Sequence, residues 1–142
     1  MRGSSQELCS RALDFNRTRG HTLRAVNAEH ADLARHRTID LTTIGRKSGK
    51  PRRIEIWWFH VDGRFVITGT PGRRDWLANI HANPNVTIHV AGTDLPARAT
   101  PVEDPDKRRA VFMDSTTSWY MTQAELDRLV ATSPMVEISF VD

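Results

Sequence analysis

Five cations, Arg46, Lys47, Lys50, Arg52 and Arg53, fall within eight consecutive residues, with no acid among them. Glycines at 45 and 49 frame the first of them, and Ser48 adds a neutral donor. These residue types suit an anion. Glycine lets backbone N–H groups approach closely, and arginine offers a planar fork matched to phosphate or carboxylate oxygens. A second pair, Arg73 and Arg74, precedes a segment from Asp75 that reads as a helix, and helix N-terminal amides also favour an anion. Two basic clusters on separate loops suit an elongated anionic ligand. Trp57, Trp58 and Trp76 lie close by in sequence and could wall a flat ring. Trp57 and Trp58, on opposite strand faces, are equally suited to core packing and to contact between two chains.

Other chemistries lack their signatures. "GRKSGK" has only three residues between Gly45 and Gly49, and Pro51 follows Lys50, so it is not a phosphate-binding P-loop. There is no GxSxG, HExxH or CxxC, and no paired carboxylates stand out. The six histidines (His21, His30, His36, His60, His81, His89) show no metal spacing, so no metal site is expected. If the chain is an enzyme, its hard chemistry comes from a bound cofactor. A basic hairpin with nearby tryptophans could also follow a nucleic-acid backbone. The charge distribution argues against that. Residues 41–74 carry a net +6 in a chain of +3, which leaves the remainder at −3. A strong local field suits a particular anionic ligand better than a polyanion surface, although a solvated charged face is the plainer reading of any charge run. The residues by themselves lead to a site for a phosphate-bearing or polycarboxylate ligand.

The elements that must position these residues follow from periodicity. The 142 residues suit one domain, with residues 1–36 as a polar helical arm broken near Gly20. Ile39 and Leu41 alternate with polar neighbours as in a half-buried strand, and the basic turn follows. Arg53 to Val61 is dense in strand formers, and Asp62-Gly63 signals a hairpin into Arg64–Thr68. A loop, Gly69 to Asp75, leads into a short helix, Asp75 to Ala82. Val86–Val90 and Leu95–Thr100 form another hairpin around Gly92. Asp104 to about Trp119 reads as helix, as does Thr122 to Ala131 with Thr122 and Glu125 at capping-box spacing. Met135 to Val141 closes the chain as a strand. The expectation is an α+β fold: about six mostly antiparallel strands closing into a small β-barrel, with peripheral helices. The lone Cys9 excludes an internal disulfide, and no apolar run reaches the ~18 residues of a membrane span or forms a signal-peptide core. A cytoplasmic location is expected, with no integral membrane segment and no nucleic-acid partner.

"LTTIGRKSGKPR" (Leu41 to Arg52), the aromatic strand after it, "DGRFVI" and "DWLANIHANPNVTIHV" (Asp75 to Val90) together resemble the deazaflavin-dependent nitroreductase family, of the F420H2-dependent quinone/nitro reductase type and mostly actinobacterial. The match covers roughly residues 38 to 100. The resemblance implies a split β-barrel like those that bind flavin mononucleotide, and it implies coenzyme F420, whose phosphate and oligoglutamate tail would answer the basic turn. It places Arg46, Lys47 and Ser48 at the phosphate. It puts Arg52, Arg53, Ile54, Glu55, Ile56 and Trp57 on a strand supporting the cofactor, and Thr68, Gly69, Thr70 and Pro71 along its ring. Asp75, Trp76, Leu77, Ala78 and Asn79 would close over it.

The implied activity is hydride transfer from reduced F420 to an electron-poor small molecule: a quinone, enone or nitro compound. Thr70 and Tyr120 are the acceptor-side candidates, acting by hydrogen-bond polarisation since neither hydroxyl titrates near neutrality. Pro71 stands where the family's nitroreductases often carry Lys, Ile54-Glu55 replaces an Asn-Pro pair, and Tyr120 is the sole tyrosine. These departures bear on nitro reduction more than on deazaflavin binding. The alternatives are a non-catalytic F420 carrier and a related barrel binding flavin mononucleotide or haem. The barrel type is compatible with a homodimer.

Overall fold

The computed structural model describes residues 31–141. Cys9, His21, His30 and the greater part of the expected helical arm lie outside them. After a short 3-10 turn, Ala31–Arg35, come strands β1 (Thr38–Ile44), β2 (Pro51–Trp57), β3 (Phe59–Val61) and β4 (Arg64–Thr68). Helix α1 (Asp75–Ala82) follows, then β5 (Asn85–Val90) and β6 (Thr93–Pro101). Helix α2 (Pro105–Met113), a 3-10 segment (Ser115–Thr122), helix α3 (Leu126–Thr132) and β7 (Met135–Phe140) complete the order. All the strands join one sheet in the order β2-β1-β5-β6-β7-β4-β3, and every pairing is antiparallel.

Among the described residues seven strands stand where about six were expected, because the apolar run from Arg53 to Val61 is two strands. Trp58 divides it. Its backbone N–H donates to the Arg37 carbonyl at 2.9 Å and its indole N–H to the His36 carbonyl at 2.5 Å, while its ring stacks on Phe65 at 4.2 Å between centroids. At this one residue the chain steps from one end of the sheet, β2, to the other, β3. The sheet is therefore curled, and the barrel is split rather than closed by a continuous ladder.

Two apolar clusters hold it. Ile39, Leu41, Trp58, Phe65, Ile67, Ile88, Val136, Ile138 and Phe140 fill one; Phe59, Val61, Val66, Val111, Phe112, Leu129 and Met135 fill the other, beneath α2 and α3. Successive residues of a strand face opposite ways, so Phe65 and Ile67 enter the first cluster while Val66 enters the second. That double cover explains the unbroken "FVI" of β4. Asp62-Gly63 and Ala91-Gly92 both take positive φ, as tight hairpins require.

α1 matches its expected limits, since Pro84 disfavours helix at Asn83, whose N–H caps the Asn79 carbonyl at 2.8 Å. The other helices differ. The helix expected to reach Trp119 stops at Met113, because the Asp114 carboxylate accepts from the Thr116 N–H and starts a separate 3-10 segment. The capping box does not form: Thr122 donates instead to the Trp119 carbonyl, and Glu125 caps α3 with no side-chain bond. No helix of the described residues is long and apolar enough to cross a membrane.

Candidate functional site

The basic turn joins β1 to β2 and is tightly closed. Gly45 donates to the Lys50 carbonyl and Gly49 to the Gly45 carbonyl, both at 2.8 Å, and Ser48 Oγ accepts from the Lys50 N–H at 3.1 Å. A Cβ at Gly45 would lie 2.6 Å from Ser48 Oγ, so a larger residue there would displace that hydroxyl from its place in the turn. α1 supports it from beside. Its positions 76, 79 and 80 share one buried face, and Asn79 Oδ1 accepts from both the Arg46 backbone N–H (3.1 Å) and Arg46 Nη1 (2.9 Å). Asn79 Nδ2 donates to Thr43 Oγ1 at 3.2 Å. Arg46 Nη2 also lies 3.4 Å from the exposed Asp75 carboxylate.

A groove of about 540 Å³ opens between turn and helix. Arg46, Lys47, Ser48 and Arg52 supply its donors, Ile54 and Trp76 its apolar walls, and Thr43, Gly45, Asp75 and Asn79 complete it. Arg52 faces the groove because it pairs across the hairpin with the inward-facing Thr43. The size falls within the range of small-molecule sites. Three cations and two hydroxyls around it form a donor set suited to an anion. Ile54 is exposed to 37%, unusual for an isoleucine in a strand and in keeping with a wall that a ligand covers.

Of the residues expected at the site, the structure brings Arg46, Lys47, Ser48, Arg52, Ile54, Asp75, Trp76 and Asn79 together around the groove. Thr43 was missed, although its place two residues after Leu41 on an alternating strand already put it on the inner face. Arg53 and Glu55 do not reach the groove. Strand alternation turns them outward, where Arg53 Nε pairs with Asp40 Oδ2 at 2.8 Å beside a second groove of about 430 Å³. There His89 bridges Thr42 Oγ1 and Asp94 Oδ1, 2.7 Å from each, and its hydrogen bond holds the Asp94 carboxyl below its usual pKa. Trp57 turns away to meet Trp119 edge-on at 5.7 Å, while Ile56 and Leu77 pack against the core.

Residues 68–71 form the approach to α1. Thr68 is buried and donates to the Pro134 carbonyl at 2.6 Å, which leaves its hydroxyl no free hydrogen. Thr70 is half-buried and accepts from Arg74 Nη2, so Arg74 is committed to the loop. Tyr120 is not brought to the groove. It is 4% exposed within the second apolar cluster, its hydroxyl 3.5 Å from the Thr68 carbonyl, and burial pushes its pKa above the ordinary value. Among the described residues no group of three or more His, Cys, Asp or Glu is placed to hold a metal.

Several solved structures share the fold. One described as an F420-H2-dependent reductase, FDR-A, matches at 20% identity and a TM-score of 0.54, covering 72% of this chain and 94% of its own. General Stress Protein 26 from Bacillus anthracis matches at 18% identity and 0.58, covering 81% and 88%. A FAD-binding protein from Mesorhizobium loti matches at 20% and 0.57, covering 81% and 89%. The family model for F420H(2)-dependent quinone reductase matches residues 15–133, a span that contains the basic turn, the groove and α1. The chain belongs to the F420H2-dependent quinone reductase family, and is an oxidoreductase whose cofactor is reduced coenzyme F420.

Proposed function

We propose that the groove between the basic turn and α1 receives the anionic tail of F420, and that the loop 68–71 borders the place of reduction. The observation that carries this reading is the convergence of Arg46, Lys47, Ser48 and Arg52 on one groove walled by Ile54 and Trp76. Arg46 and Arg52 would bind phosphate oxygens through their forks, Lys47 would add a point charge, and Ser48 and Thr43 would donate neutral hydrogen bonds. Ile54 and Trp76 would exclude water from one side. When bound, the reduced deazaflavin supplies a hydride, for which the acceptor class is an electron-poor quinone, enone or nitro compound.

The protein's own part is to orient the partners and to polarise the acceptor oxygen. Thr70 is the residue placed for the second task, because its oxygen already accepts from Arg74 and its own hydrogen remains available to donate. Tyr120 is buried beside the loop 68–71 with its hydroxyl turned to the Thr68 carbonyl, and does not line the groove.

Titration of the protein with F420, and separately with flavin mononucleotide, tests the reading through tryptophan emission, since Trp76 lines the groove. Saturable quenching by F420 that weakens with salt, with none from the flavin, is expected. Flavin binding without F420 binding would keep the fold and overturn the assigned chemistry. Binding of F420 with no turnover on any quinone, enone or nitro compound would favour a carrier.

A further inference from the structure

We infer that Asn79 is a positioning residue, which acts on the anionic ligand through Arg46 and does not touch that ligand itself. The inference rests on the reading of the groove as the anion site. An amide oxygen has two lone pairs. Both are used on Arg46, one by its backbone N–H and one by Nη1. Of the two amide hydrogens one is given to Thr43 Oγ1. Asn79 is only 4% exposed, and three of the four hydrogen-bonding positions of its amide are spent inside the protein.

The geometry gives that commitment a purpose. Arg46 is a flexible side chain on a turn, and a free guanidinium would sample many rotamers before meeting an anion. Held at its backbone and at Nη1 by one rigid oxygen on a helix, with Nη2 3.4 Å from Asp75, it is fixed at the edge of the groove it lines. Because Thr43 lines that groove and is bonded to the same amide, strand, turn and helix share a single buried junction. An aspartate of the same shape would preserve the acceptor for Arg46, but would lose the donation to Thr43 and add a negative charge to an anion site.

A double-mutant cycle on F420 affinity decides the matter, using Asn79→Ala, Arg46→Ala and the pair. Each single change is expected to weaken binding about tenfold or more, as loss of a charge-assisted contact would. The pair should bind no worse than Arg46→Ala alone, within about twofold. Losses that multiply would show Asn79 meeting the ligand directly, and would overturn the inference while leaving the groove in place. A wild-type protein that fails to bind F420 would instead overturn the reading of the groove.

A second measurement needs no ligand. Amide exchange at Arg46 should rise by about tenfold or more in Asn79→Ala while Leu41 stays protected, and should stay slow in the isosteric Asn79→Asp. Unchanged exchange in the Ala variant, or equally fast exchange in the Asp variant, would overturn the inference.

Discussion

Arg74 grips Thr70 at two atoms of the same residue, with Nη2 at 3.0 Å from the carbonyl oxygen and 3.1 Å from Oγ1. Nη1 meets the Arg73 carbonyl at 3.2 Å. The guanidinium thus fills the inside of its own loop, so closely that a Cβ at Gly72 would lie 3.0 Å from Nη1 and one at Gly69 3.3 Å from Nη2. Glycine is needed at 72 for a further reason, its φ of +138°. The sequence suggested Arg74 as one of a second pair of cations for the ligand, and the structure spends it on holding a loop.

Arg74→Met should accordingly lower kcat by about tenfold or more through misplacement of Thr70, while F420 affinity changes by less than about threefold. Arg74→Lys should not restore turnover, because an ammonium cannot reproduce the planar fork. Steady-state kinetics beside a binding titration separate the two parameters. A loss confined to affinity would return Arg74 to the ligand.

Charge reversal at the turn is the complementary test. Arg46→Glu with Lys47→Glu should weaken F420 binding by well over tenfold, since charge-assisted contacts contribute about 1.5–3 kcal/mol each. The salt dependence of what remains should flatten. Fluorescence titration at two ionic strengths reads both, and unaltered affinity would show that the turn is a solvated face.

Arg108 carries a structural charge. Nε donates to the Val130 carbonyl at 2.6 Å, Nη1 to the Val102 carbonyl at 2.7 Å, and Nη2 to the Ser133 carbonyl. It ties α2 to the last turn of α3, where a cation also suits the helix dipole, and burial lowers its pKa. Arg108→Met strands three carbonyls and should cost about 2–3 kcal/mol of stability by urea denaturation. F420 affinity should be unchanged, because Arg108 bonds Val102, Val130 and Ser133, none of which lines the groove.

Tyr120 offers a clean titration as the sole tyrosine. Its pKa is raised by burial, so the folded state disfavours the phenolate. Stability linked to this group is present in full below the unfolded value near 10.0 and is lost as pH rises through the higher folded value. Tyrosinate absorbance should therefore appear at higher pH in the folded protein than in urea, and Tyr120→Phe should flatten the alkaline limb of the stability curve. Coincident titrations in both states would contradict the burial.

Local rules made much of this legible. Period-two alternation located β1 and β7, turn chemistry located both tight hairpins, and Pro84 marked the end of α1. The glycines and cations of residues 45–52 marked the tight turn that α1 meets and that lines the groove. What stayed hidden depended on contacts distant in sequence. Nothing near Trp58 reveals that the carbonyls of His36 and Arg37 will capture it and split a strand. Arg53 and Arg52 are alike as residues, yet register sends one outward to Asp40 and the other inward beside Thr43. Asn79 shows its partners only when helix and turn meet 33 positions apart.

The strand order also has a consequence for how the chain folds. β7 lies between β6 and β4, and so joins a four-stranded half to a two-stranded one. Until it is in place, β6 and β4 each present a bare row of amides and carbonyls, and the two-stranded half is too small to persist alone. Assembly must wait for partners far apart in sequence, which makes it slow and all-or-none, and leaves the nascent chain open to strand exchange with its neighbours.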